Sequence, residues 1–385
     1  MSIRKIKLSW VTLVFVASAC TPELLPIPVT QGPTAAPPTP TSVAIQGALV
    51  EPHGIIAFRM LDAADGWAIT SNSLLRTADG GATWHDVSPS APQTYGYGAA
   101  SDFLDADHAW VLAPDPNDME NGILYRSSDG GDTWSESPVP FGSGSLRFLD
   151  PKRGWMMADL GAGAGSMGIA VFQTQDSGAT WSQSYTNDPT KPGASRSLPL
   201  GGLKDGITVT GPLAAWIGGV TYAPGTVYLY QTSDGGVTWT KSPVAVPAGY
   251  EEAELETPGP IFVNSDVGYL PVHLSTQNGI MLAIYVSRDG GSSWLQSPSL
   301  IAQGRTADFV SPETGFVWNG SGFYVTSDAA QSWTAIAPDM DFGDTFGGMD
   351  FVDRRVGFVL RTDSNGSSSL YKTLDGGATW TQLGK

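Results

Sequence analysis

A single cysteine, Cys20, stands among 385 residues, so the chain holds no pair of thiols from which to build a disulfide framework. Histidine is as scarce. The four, His53, His85, His108 and His273, are far apart and show no metal-ligand spacing. Basic charge is in deficit, with 20 Lys and Arg against 37 Asp and Glu and a net charge of −17, which repels nucleic acid and anionic lipid surfaces. No run of apolar residues is long enough to span a bilayer; Leu8 to Val16 falls well short. No Ser-His-Asp order, glycine-rich phosphate loop or basic patch is present. No cofactor is implied. The abundant residues are instead Gly, at 47, Pro, at 28, and Trp, at 13, a composition of turns and aromatic anchors.

The glycines concentrate in one octapeptide, TADGGATW at 77–84. It returns as SSDGGDTW (127–134), TQDSGATW (174–181), TSDGGVTW (232–239), SRDGGSSW (287–294), TSDAAQSW (326–333) and TLDGGATW (373–380). A tight turn repeated at 40 to 60 residues marks a propeller or solenoid. The aspartates, Asp79, Asp129, Asp176, Asp234, Asp289, Asp328 and Asp375, have short acceptor side chains suited to binding N–H groups of their own turn. The next two residues supply positive φ, and the Trp opens the following strand. One carboxylate per turn is too sparse for a hard cation, so these are structural residues and no metal is expected.

A second pattern lies upstream of each octapeptide: Phe103 with Asp105 and Trp110, Phe148 with Asp150 and Trp155, Phe262 with Asn264 and Tyr269, Phe309 with Ser311 and Phe316, Phe351 with Asp353 and Phe358. The first unit has Asp62 with Trp67, and the fourth only Trp216. With a short apolar strand before each octapeptide, the unit reads strand, turn, strand, loop, strand, octapeptide turn, strand. This predicts an all-β fold of seven four-stranded antiparallel blades, a seven-bladed β-propeller over 44–385. The chain ends five residues after Trp380, and residues 44 to 50 are candidates to lengthen that last outer strand.

The front of the chain reads as an address. Arg4, Lys5 and Lys7 precede the short apolar run, and Ala17, Ser18, Ala19 and Cys20 follow it. The arrangement resembles a bacterial lipobox, which implies a signal peptide over 1–19, a lipidated Cys20, and an exported head held outside the cytoplasm. Removing 1–19 would take the charge to −20. Residues 20–43, rich in proline, form an extended tether.

The octapeptides match the Asp-box, or BNR, repeat, and the chain resembles Asp-box propellers over essentially the whole head. The added upstream turn and the chain length look most like the photosystem II assembly and stability factor family. That resemblance implies a non-catalytic propeller that binds or helps assemble another envelope protein. Sialidases and some glycanases share the repeat, which makes a glycan-active enzyme or glycan-binding module the alternative. A sialidase needs three arginines around a carboxylate; those clear of the turns are Arg59, Arg147, Arg196, Arg305 and Arg361.

Successive motif tryptophans, at 84, 134, 181, 239, 294, 333 and 380, are unevenly spaced, which places the extra length in loops opposite the octapeptide turns. Variable loops on a rigid scaffold are where a ligand is expected. The candidates there are Tyr95, Tyr97, Tyr185, Tyr222 and Tyr250 for aromatic contacts, Arg196, and the acids Asp115, Asp118, Glu120, Glu251 and Glu254. The longest insertions, before the motifs at 232 and 287, are where binding is expected first.

Overall fold

The computed structural model describes residues 45–51, 54–91, 95 and 99–384, within the unit Val43–Lys385. Strands dominate; a single 3-10 turn, Gly343–Thr345, is the one helical element among the described residues. Pairing is antiparallel throughout the strand ladders. In the third set, Gly144–Phe148 pairs Gly154–Gly163, which pairs Ser166–Thr174, which pairs Ser182–Thr186. The same order runs through every unit that carries an octapeptide, and the fold is an all-β propeller.

Burial explains why these segments become strands. Gly66–Thr70 is buried at all five positions and Gly315–Trp318 at all four, the signature of a strand covered on both faces. The faces meet those of the neighbouring blades. Seven hydrophobic clusters result among the described residues, and each joins two adjacent sets. Within them the upstream motif has a role that its spacing did not reveal. The aromatic opening the second strand of one blade stacks on the Phe ending the first strand of the next: Trp110 on Phe148 at 3.6 Å, Tyr269 on Phe309 at 3.7 Å, Phe316 on Phe351 at 3.6 Å, and Trp67 on Phe103 at 5.2 Å.

Each octapeptide is a closed hydrogen-bonded unit. In the third copy, Thr180 donates N–H to Asp176 Oδ1 and its hydroxyl to Asp176 Oδ2, while the Thr174 hydroxyl accepts the Gly178 N–H. Those donors hold the Asp176 carboxyl below the ordinary carboxylate range, the Thr180 hydroxyl first among them. The turn is also tied to its neighbour in the same blade, as Ser177 N–H donates to Lys152 O and Gly80 N–H to Ala64 O. In that neighbouring turn Asp150 accepts the N–H groups of Lys152 and Arg153, as Asp62 does for Ala64 and Asp65.

Three expectations are corrected. Ala48–Val50 does not lengthen the last outer strand; it pairs with Trp84–Asp86 as a fifth strand of the first blade, with Val50 in the apolar cluster there and His85 Nδ1 donating to Gly47 O. The acidic stretch 250–256 is not all loop. Glu254–Thr257 is a strand that pairs with both Ala215–Val220 and Gly268–Thr276, so the fourth and fifth blades share one nine-stranded sheet. Asp115 and Asp118 likewise lie at the ends of two long strands, His108–Asp115 and Asp118–Ser128, with only the hairpin tip between them.

The ring closes between the first and last blades. Ile55, Met60 and Trp84 share a cluster with Phe358, Leu360 and Leu370, and Met60 N–H donates to Asp350 Oδ2 at 2.7 Å across 290 residues of sequence.

Candidate functional site

First strands of neighbouring blades lie side by side; Gly144–Phe148 touches both Ser101–Phe103 and Leu203–Val209, and Phe346–Phe351 touches both Thr306–Phe309 and Ile55–Met60. Such a strand has one edge unpaired in its own sheet, and its N–H groups need acceptors. Three aspartates provide them. Asp102 Oδ2 accepts Phe148 N–H at 2.6 Å, Asp308 Oδ2 accepts Phe351 N–H at 2.7 Å, and Asp350 Oδ2 accepts Met60 N–H, each carboxylate reaching into the next blade. All three occupy the position just before the Phe that ends the first strand. The same position holds Arg59 in the first blade and Arg147 in the third.

These five side chains form one electrostatic group. Burial pushes the Asp308 carboxyl up to about 7, and the charge of Asp350 adds to the rise. Burial also raises Asp102 against the pull of Arg147 and Arg59, and raises Asp350 against the pull of Arg59. The guanidinium groups are less confined. Arg59 is 62% exposed and lies 4.0 Å from Asp350, while Arg147 is exposed and donates to its neighbour's carbonyl, Leu146 O. Both line a cavity of about 440 Å³ together with Asp102, Phe58, Leu104 and Phe148. Elsewhere on the same inner strands, Asp205 is pushed up to about 6 by burial and by the charge of Glu256.

The residues expected from sequence are dispersed. Tyr95 is 1% exposed in the core between the first and second blades, and Tyr185 is 3% exposed between the third and fourth, where its hydroxyl donates to Ser195 O or Leu198 O and accepts Leu198 N–H. Neither is on a ligand face, because each ring fills a space between blades that no smaller side chain would fill. Tyr222 is exposed beside Gly165 at a hairpin tip, and Tyr250 packs half-buried against the apolar cluster between the fourth and fifth blades. Asp115 and Asp118 accept N–H groups of their own turns, and Glu120 pairs with Lys191 at 3.0 Å. Glu251 accepts Gly249 N–H, and Glu254 is an exposed strand residue. Arg196 lines a separate pocket of about 530 Å³ with Asn187, Pro189 and Leu200. Tyr97 and Cys20 lie outside the described residues.

Of the five arginines clear of the turns, the structure brings Arg59 and Arg147 together. Arg305 stands 3.9 Å from Asp344, and Arg361 Nε donates to Thr345 Oγ1. Sequence reasoning missed the axial aspartates. Their signal was the Asp-Phe pair at 102–103, 308–309 and 350–351, of which only the Phe was read. Among the described residues no three His, Cys, Asp or Glu are grouped to hold a metal, and no helix is long and apolar enough to cross a membrane.

No family model matches the chain. It is similar to the photosystem II assembly lipoprotein Ycf48 of Synechococcus sp. (strain CC9902), at 26% identity over 270 residues, covering 62% of this chain and 73% of that protein. It is also similar to a xyloglucanase of Paenibacillus sp, at 26% identity over 326 residues, covering 74% of this chain and 26% of the enzyme. The chain thus spans about a quarter of the xyloglucanase and about three-quarters of Ycf48. Among solved structures, YCF48 bound to a D1 peptide superposes with a TM-score of 0.55 at 18% identity, over 85% of this chain and 96% of that one. The GH74 xyloglucanase of Xanthomonas campestris gives 0.58 at 15% identity, over 86% and 55%. These likenesses agree on the fold, and the expected resemblance to the photosystem assembly factor is present in the sequence itself.

Proposed function

We propose that the chain is an exported propeller, anchored through a lipidated Cys20, that binds another envelope protein and helps assemble it without catalysis of its own. The observation that carries this reading is the extent of the match to Ycf48. The similarity takes in most of that lipoprotein, whereas it takes in a quarter of the xyloglucanase. A YCF48 structure holds a peptide of a protein partner, and a peptide-sized contact suits the variable loops around 187–200 and 242–253. The acids Asp115 and Asp118 at a hairpin tip and Glu251 in a loop are engaged by their own turns, as surface acids ordinarily are.

The test is crosslinking of the full chain in its native envelope, followed by mapping of the crosslinked peptides. One reproducible partner joined to those two loops supports the proposal. Partner-free chain at native abundance overturns it. For the anchor, Cys20→Ala is expected to release the head from the membrane fraction.

The similarity to a xyloglucanase supports a second reading, a glycan-binding or glycan-cleaving head. Saturable binding of xyloglucan oligosaccharides, or turnover lost in Glu251→Gln or Glu254→Gln, would replace the first reading with this one.

A further inference from the structure

We propose that the axial cavity is a binding site for a carboxylate that carries a small apolar body, gripped between Arg59 and Arg147. The proposal does not rest on the partner reading above.

The donors come first. A guanidinium carries five N–H groups. Arg147 places one on Leu146 O, and the nearest acid to Arg59 stands 4.0 Å away, beyond hydrogen-bond reach. The carboxylate between them does not close the gap, since the one hydrogen bond of Asp102 among the described residues is accepted from Phe148 N–H. Two cations, Arg59 in a loose 4.0 Å pairing with Asp350, and the Asp102 carboxylate therefore border an open space of about 440 Å³. That volume suits a small ligand. Phe58 and Leu104 line the same space and offer contact to an apolar body.

The chemistry of the donors selects the ligand. Guanidinium forks take carboxylates in bidentate fashion, and do so most strongly where water is reduced. A cation would meet two like charges. The titratable groups that line this space are Arg59, Asp102 and Arg147, with Asp350 4.0 Å from Arg59. The Asp102 carboxylate at the same space opposes a bound anion when ionised.

The probe is 3-phenylpropionate, with 3-phenylpropionamide as its uncharged match, titrated calorimetrically into the full-length protein in detergent. The acid is expected to bind saturably and the amide at least about tenfold more weakly, in keeping with the loss of a charge-assisted contact. Arg147→Gln, at an exposed side chain whose one hydrogen bond is to its neighbour's carbonyl, is expected to weaken the acid by about tenfold while the protein keeps a cooperative unfolding transition. Asp102→Asn keeps an acceptor for Phe148 N–H and is expected to tighten it. Peptides Gly-Gly-Phe with a free or amidated C-terminus separate a chain terminus from a free acid as the natural source. Equal binding of acid and amide, full affinity in Arg147→Gln, or no saturable binding by either probe would overturn the site.

Discussion

Ala329 and Ala330 stand where most other copies of the octapeptide carry glycine, and both adopt positive φ, 59° and 63°. A side chain in the left-handed region costs about 1–2 kcal/mol. Ala330 offsets part of this by packing its methyl, fully buried, with Tyr269, Phe309 and Val317. Ala329→Gly is expected to stabilise the protein by about 0.5–1 kcal/mol, allowing for the greater freedom glycine has when unfolded, and Ala330→Gly by less. Urea midpoints at an unchanged slope measure both. Asp308 bears on pH. Its folded pKa, about 7, lies above the unfolded value, so the native state holds the extra proton between about pH 4 and 7 and stability falls as pH rises through that window. Asp308→Asn keeps an acceptor for Phe351 N–H and does not titrate. It is expected to exceed the wild type in melting temperature at pH 8 and to lose that advantage at pH 4. The octapeptide contacts were legible in sequence because every partner lies within four residues. The axial aspartates were not, since their partners lie 43 to 290 residues away.

At the scale of elements, the aromatic at the start of each second strand is the joint between blades. Trp110 is buried, stacked on Phe148, and donates from its indole to Ser177 O in the next blade. Trp110→Ala is expected to cost about 3–5 kcal/mol, and Trp110→Phe, which retains the stack and loses the hydrogen bond, distinctly less. Chemical denaturation of both variants tests the order. The strand Glu254–Thr257 shows why Glu254 was expected in a loop. Its exposure alternates, with Leu255 and Thr257 inward and Glu254 and Glu256 outward, but four glutamates in six residues read as a solvated segment. Only the presence of two open strand edges on either side, in Ala215–Val220 and Gly268–Thr276, makes that alternation a strand.

At the scale of the whole molecule, closure is made by side chains. The last outer strand, Thr381–Gln382, pairs with Ser368–Thr373, and Ala48–Val50 pairs within the first blade, so no described strand is exchanged across the seam. What crosses it is the apolar cluster of Met60 and Phe358, the Asp350 acceptor, and Lys372 Nζ donating to Ala63 O. Asp350→Ala leaves Met60 N–H without its acceptor at that seam. Hydrogen exchange is expected to accelerate in Ile55–Met60 and Phe346–Phe351 while the third blade keeps its protection. Uniform acceleration around the ring would show that closure is not local.

Sequence alone determined the repeat, the four-strand order of each unit, the role of the octapeptide and the all-β fold, because these depend on turns and alternations a few residues long. Tertiary structure decided which tyrosines are core, how the ring closes, and that charge gathers at the axis. Those outcomes depend on which strands become neighbours. A residue such as Asp102 or Arg147 acquires its surroundings from three or more blades, and no local pattern records them.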